Sequence, residues 1–326
     1  MTAIPPINTL LTSSLSGPVA DIRARITTVS EEAVTGRYAD LVATLDGRID
    51  KALLAEKAVQ DIDTDRSQLN LRATRLEITQ NSLSRIQDSI GDLSTGIIVA
   101  VGTGDENSIR FSSQQAAGSL EDIFNALGSR HGERFLFAGD ATATTPFSDP
   151  EALISDVRAI ANSAIDAADL EAQLDTYFND PAGTFQTAIY SGTASASDPD
   201  AVTGIDPALI NVISALSVLA VADPTNAPPV LNISSEGLSN AANDLRSGLT
   251  DLTNLRAERG IVQAQISQSL EALDAEEAVL TTAFNNLTAR DQFEAATELQ
   301  NLQNTLEASF LLTNRLSTLS LVNFLR

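Results

Sequence analysis

Few clusters in this 326-residue chain have the residue types and spacing that chemistry needs. Asp61-Ile-Asp63-Thr-Asp65 sets three carboxylates at alternate positions, as a calcium loop does at its start. The sixth position, however, is Arg66 rather than Gly and the twelfth is Arg72 rather than Glu, so the acids read as a solvated helix face. Gly102-Thr-Gly104-Asp105 has two glycines of a dinucleotide loop but not the third, and no βαβ unit surrounds it. It reads as a turn. His131 is the only histidine, and no Ser or carboxylate constellation flanks it. Asp149, Glu151 and Asp156 could supply carboxylates to a hydrolase, but no His, Cys or glycine-rich cradle accompanies them. Asn232-Ile-Ser234 and Asn286-Leu-Thr288 are acceptor tripeptides of the kind chance supplies at this length. The absence of Cys removes disulfides, thiolate ligands and thiol nucleophiles, and a single His removes multi-histidine metal sites. No catalytic residue, metal site or cofactor is expected, and the chain is not expected to be an enzyme.

The composition points to packing instead. The chain is 43% hydrophobic but only 4% aromatic, with no aromatic residue between Tyr190 and Phe284. Long helices packed through Leu, Ile, Val and Ala need few rings. A net charge of −23 opposes phosphate backbones, so nucleic acid is not an expected partner. The charge is uneven: 146–229 holds 12 acids and one base, Arg158, and should face solvent. The longest uncharged apolar stretch, Ala208–Ala222, is shorter than the ~20 residues a membrane span needs, so it reads as a buried or amphipathic helix and no membrane insertion is expected. The first 20 residues carry no charge and lack the basic start of a secretory signal peptide.

Prolines divide the chain. None lies between Pro18 and Pro146 or after Pro229, so 19–145 and 230–326 can be helical throughout. Ile62, Leu69, Leu76, Leu83, Ile90 and Ile97 repeat every seven residues, the seam of a long bundle helix. The companion positions are mixed, with Arg72 and Thr79 polar and Ile86 and Leu93 apolar, so the seam should meet more than one neighbour. Leu41, Leu45, Ile49 and Leu53 extend the stripe upstream, giving one helix over about 41–101. Gly102–Asp105 breaks it, and a second helix is expected over 108–129, closed by Gly128 and Gly132. Downstream, a stripe from Leu245 to Leu287 changes phase near Asp291 and resumes through Leu299, Leu302, Leu306, Phe310, Thr313 and Leu316. Between the arms, Arg134–Gly139 and Thr184–Gly192 read as short β-like runs, Ala152–Phe178 as helix and Gly192–Asp206 as turns.

The expected fold is mainly α. The N- and C-terminal arms form a long antiparallel or coiled helical bundle, and a small α+β insert interrupts it. The divisions are 1–40, an inner N-terminal segment; 41–132, the first arm; 133–206, an outward-facing insert; 207–290, the second arm; and 291–326, a C-terminal inner helix.

Three stretches carry a family likeness. His131-Gly-Glu-Arg-Phe-Leu-Phe-Ala-Gly139 is followed by Thr145-Pro-Phe147; Arg256-Ala-Glu-Arg-Gly260 lies in the returning helix; and Asp291-Gln-Phe-Glu-Ala-Ala-Thr-Glu-Leu299, Leu306-Glu-Ala-Ser309 and Leu319-Ser-Leu-Val-Asn-Phe-Leu325 close the chain. Together they resemble the flagellin superfamily of bacterial axial proteins, and within it the hook-associated protein 3 family, over about two-thirds of the chain. Thr35-Gly36-Arg37 matches the turn after the first helix, but the Asp-Asp-Pro that often follows is absent, with only Asp40 and Asp46 nearby, and the insert matches weakly. Flagellin itself therefore stays open as the alternative, with a secreted helical effector or adhesin behind it.

The resemblance implies an extracellular hook–filament junction subunit, exported unfolded by the flagellar type III route without cleavage. It would act by polymerisation rather than catalysis. The implied partners are further copies of the chain, a neighbouring hook-associated protein, flagellin, and an export chaperone at the C-terminal helix. The expected assembly interface is Leu299, Leu302, Leu306, Phe310, Leu316, Leu319, Leu321, Phe324 and Leu325.

Overall fold

The computed structural model describes the backbone of residues 7–45 and 49–324, and the side chains of 17–45, 49–91 and 93–315. The architecture is mainly α. In chain order the helices are α1 (Ile7–Thr35), α2 (Leu41–Leu45), α3 (Ile49–Thr103), α4 (Glu106–Leu127), α5 (Pro150–Ser163), α6 (Ala167–Asn179), α7 (Pro207–Ala220), α8 (Glu236–Thr288) and α9 (Gln292–Phe324). A two-residue antiparallel ribbon, β1 (Arg130–His131) with β2 (Arg134–Phe135), follows α4. The chain divides into two compact units, one drawn from 1–65 and 272–326, the other from 66–271, and α3 and α8 each contribute to both.

Aspartate punctuates these helices, and this explains part of the acidity. Asp105 begins α4 by accepting the Ser108 backbone N–H at 3.2 Å, Asp149 begins α5 from Glu151 at 3.0 Å, Asp166 begins α6 from Asp169 at 2.9 Å, and Asp206 begins α7 from Ala208 at 3.0 Å. Each satisfies an amide that helix geometry leaves without a partner and sets negative charge against the positive end of the helix dipole. Pro150 and Pro207 occupy the first helical position, where a missing N–H costs nothing.

The core of the 66–271 unit is one continuous cluster. It runs from Leu83, Ile86, Ile90, Leu93 and Ile97 of α3 through Ile109, Leu120 and Ile123 of α4 to nearly the whole of α7 and Leu238, Leu245 and Leu252 of α8. The uncharged stretch Ala208–Ala222 is thus a buried helix and its cap, lying against α4, α5 and α6. Phe124, Phe147, Phe178, Phe185, Tyr177 and Tyr190 add a local aromatic group, with Phe124 and Phe147 centroids 4.8 Å apart.

Several local expectations differ from the structure. Thr184–Gly192 is not a strand: Phe185–Ile189 forms a π-helical turn that buries Phe185 and Ile189, and only Tyr190 makes a bridge, to Phe147. Burial of the aromatic residues against the core overrides the β-like composition. The β content of the insert is therefore far smaller than an α+β reading implies. The helix expected over 152–178 is two helices, broken at Ala164-Ile165-Asp166 by the Asp166 cap. Gly128 ends α4 with an ordinary φ of −73°, whereas Gly132, at φ +61°, turns the β-ribbon. The helix expected over 41–101 is α2 and α3, with 46–48, and so Asp46, outside the described residues. Asp40 caps α2, accepting the Ala43 N–H at 3.0 Å. Pro18 does not bound a helix but lies inside α1.

Candidate assembly interface

The 1–65/272–326 unit is built around the packing of α1 along α9. On α1, Val19, Ile22, Ile26, Val29 and Ala33 are the shielded positions, at helical steps of three and four. On α9 the shielded positions are Ala295, Leu299, Leu302, Leu306, Ser309 and Thr313, in the same steps. Only Val29 and Ala295 of these are fully buried. Two narrow stripes therefore meet, and one of them is partly small and polar.

A clasp closes one end of the pair. Gly36, at φ +67°, ends α1 in the left-handed turn that glycine adopts without a Cβ penalty, its N–H bonding the Glu32 carbonyl at 2.8 Å. Tyr38 N–H then donates to Thr288 O at 3.0 Å and Arg290 N–H to Gly36 O at 2.9 Å, bridging the α1–α2 and α8–α9 turns. Asp291 starts α9 by accepting from Phe293 N–H at 2.8 Å and Glu294 N–H at 3.1 Å. The stripe changes phase there because the helix restarts.

Side chains reinforce the clasp. The Arg290 guanidinium donates to Glu298 Oε2 at 2.5 Å, lies 3.8 Å from Glu32 Oε2 and sits 5.2 Å from the Tyr38 ring centroid. Arg25 reaches Glu298 Oε1 at 2.9 Å. Glu32 Oε1 accepts the Ala39 N–H at 3.2 Å. Burial opposes the charge on Arg290, but the Tyr38 hydroxyl and the Glu298 and Glu32 carboxylates outweigh it and raise its pKa. Beside it, Arg37 donates to Asn285 Oδ1 at 3.2 Å and lies over the Phe284 ring. None of these charged partners was marked by spacing in the sequence. The usable signals were Thr35-Gly36 as a helix stop and Asp291 as a helix start.

The residues expected at the interface fall into three groups. Leu299, Leu302 and Leu306 are half-buried on the α9 stripe that packs along α1. Phe310 is 45% exposed, its ring 5.4 Å from the Arg23 guanidinium carbon. Leu316, Leu319, Leu321, Phe324 and Leu325 have side chains outside the described residues, as do the first 16 residues of the leader. The structure adds residues that the heptad reading passed over: Phe293 is 84% exposed, Leu311 65% and Leu312 60%. Two adjacent leucines cannot both lie on one narrow stripe, and that is the signal that could have found them. Val34, Val42, Leu53, Leu54 and Val279 of the same unit are exposed as well.

The seam of α3 is placed unevenly. Ile62, in the terminal unit, is buried and Leu69 half-buried, while Leu76, Leu83, Ile90 and Ile97 are buried in the other unit. The polar companions have specific partners. Arg72 forms an ion pair with Asp200, whose carboxyl is held below the usual range by that contact, and Thr79 is buried. Arg75 pairs with Asp198 at 3.0 Å. The neighbouring Phe137-Ala-Gly139 motif closes around Tyr190, whose hydroxyl donates to Phe137 O at 3.0 Å and whose pKa is pushed up to about 12 by burial.

The residues weighed for chemistry are dispersed. Asp61, Asp63 and Asp65 are exposed along α3, and His131 lies in β1. Asp149 caps α5, and Asp156 accepts the Tyr177 hydroxyl at 2.8 Å. Among the described residues no group of three or more His, Cys, Asp or Glu is placed to hold a metal ion, and no helix is long and apolar enough to cross a membrane.

No curated protein matches the chain. Residues 243–325, covering most of α8 and the whole of α9, match the family model of the bacterial flagellin C-terminal helical region, and this match supports the flagellin superfamily.

Proposed function

We propose that the chain is a structural subunit of the bacterial flagellum, placed at the hook–filament junction, that acts by polymerising its helical termini. The observation that carries the reading is that the helix matched to the flagellin C-terminal region, α9, leaves Phe293, Phe310, Leu311 and Leu312 exposed. Apolar side chains clustered on a helix and left in water favour burial against a partner, at about 25 cal/mol per Å². Leu316, Leu319, Leu321, Phe324 and Leu325 extend that surface in sequence. In this reading 1–40 and 291–326 form the inner, subunit-facing part, 41–132 and 207–290 the supporting arms, and the acidic 133–206 the outer face. The partners are further copies of the chain, a neighbouring hook-associated protein and flagellin, with an export chaperone on the C-terminal helix before assembly. The site is extracellular and is reached without a cleaved signal peptide.

Placement at the junction rather than along the filament follows the motifs His131–Gly139 and Leu319–Leu325. Flagellin is the second reading, since the matched C-terminal region serves it equally. Immunogold labelling of isolated hook–filament complexes separates them. Label confined to the distal end of the hook supports the junction subunit; label along the whole filament, with the chain as the bulk protein of sheared filaments, selects flagellin. Absence of label from both would reject the flagellar reading.

A further inference from the structure

The side chains at the α1–α9 clasp form a series of alternating charge that starts and ends on α1. Arg25 of α1 reaches Glu298 of α9 at 2.9 Å; Glu298 accepts from Arg290 of the α8–α9 turn at 2.5 Å; and Arg290 faces Glu32, back on α1, at 3.8 Å. Glu32 is the most buried carboxylate among the described residues, at 3% exposure. Its Oε2 and the Arg290 Nε have no hydrogen-bond partner, so their attraction is that of a shielded ion pair. The same arginine carries the backbone N–H that bonds Gly36 O, and its guanidinium packs on Tyr38. One residue thus touches the end of α1, the start of α9 and the turn after α1.

The α1–α9 stripes do not account for their own order. Few of their side chains are fully buried, and Ser309 and Thr313 occupy stripe positions where a leucine would hold more firmly. A pair so thinly packed opens at low cost unless its end is fixed. We propose that Arg290 is a positioning residue, a latch that fixes α1 and α9 in one register and makes them open and close together. The latch belongs to the chain before it meets any partner, so it stands whether the subunit sits at the junction or along the filament. Loss of the latch loosens both helices together, because Glu32 and Glu298 lie on different helices and Arg290 is the cation that faces both, leaving only the more exposed Arg25–Glu298 pair between them.

Amide hydrogen exchange on the full-length protein tests this. In Arg290→Gln, exchange should accelerate together, by about tenfold or more, in 17–35 of α1 and 292–315 of α9, while α4 and α7 keep their protection. Glu32→Gln, which leaves the Arg290–Glu298 contact in place, should loosen the same two helices in parallel to a smaller extent. Acceleration in one helix alone, or in neither, overturns the latch. So does fast exchange that spreads to 49–65 and 272–288, since Arg290 would then hold the fold of the whole unit rather than the register of one pair. Retained protection in α4 and α7 is the internal control that the chain has folded.

Discussion

The two compact units use their apolar residues in opposite ways. In 66–271 a continuous core joins α3, α4, α7 and α8. In 1–65 with 272–326, the fully buried apolar residues among those described are Val29, Leu45, Ala52, Ala55, Ile62 and Ala295, half of them alanines, while valines, leucines and phenylalanines lie exposed. Burial of a large side chain contributes about 1.5–3 kcal/mol and of an alanine much less. The first arrangement is that of a domain stable by itself. The second is that of a segment held by a clasp with apolar surface left in water, the arrangement that the proposed folding on assembly would use.

Two glycines sharpen the contrast most. Gly139 has φ +62°, and a Cβ there would meet the Thr193 carbonyl oxygen at 2.3 Å. Gly36 has φ +67°, but its Cβ would meet only the Gln292 side-chain amide, at 3.1 Å, which can swing away. Gly139→Ala should therefore cost more than roughly 4 kcal/mol, combining backbone strain with a backbone clash, and Gly36→Ala about 1 kcal/mol. Urea unfolding of both variants measures the difference. Equal costs would remove the distinction between a closed and an open unit.

Much of this arrangement was legible in the sequence. The heptad from Ile62 to Ile97, the break at Gly102–Asp105 and the phase change at Asp291 are local signals, set by side-chain period and by capping chemistry, and each has its counterpart in α3, α4 and α9. What was not legible depends on distant chain. Thr184–Gly192 has strand-like residues but turns because the core takes Phe185 and Ile189 together. Arg290 finds Glu32 across 258 positions, and no spacing rule connects them. Arg72 is a polar companion position whose partner, Asp200, comes from a turn-rich stretch far along the chain.

Core truncation is the next test. Leu120 is fully buried in α4, and Leu120→Ala should cost about 2–5 kcal/mol through lost transfer energy and a residual cavity. Leu302 is half-buried on α9, and Leu302→Ala should cost about 1 kcal/mol. Thermal unfolding with probes in each unit checks both. A comparable loss at Leu302 would mean that the α1–α9 pair is packed as tightly as the core.

A smaller effect should follow from Arg72→Ala. Asp200 is nearly buried and its carboxyl pKa is lowered first by the hydrogen bond from Arg72. A depressed folded-state pKa contributes stability that is complete above the unfolded value, about 3.9, and is lost as pH falls through the folded value. Wild type should thus exceed Arg72→Ala by about 1 kcal/mol at neutral pH, reduced by the solvent exposure of the arginine, with the gap closing in acid below about pH 4. Denaturant midpoints across pH 2–7 measure the gap. A difference independent of pH would mean that Arg72 acts through packing of its stem and not through its charge.

The smallest change in stability should accompany the largest change in assembly. Leu311 and Leu312 are exposed in the isolated chain, so replacing both with Asp removes little buried contact and should shift unfolding by about 0.5 kcal/mol or less. In a polymer the same two positions would place carboxylates in an apolar contact, where an unpaired charge is strongly opposed. Sedimentation of the purified variant should report a folded chain, and motility and filament retention in cells carrying it should be lost. Normal retention would show that this face stays in water. The surplus apolar surface of the terminal unit would then need another explanation than a neighbouring subunit.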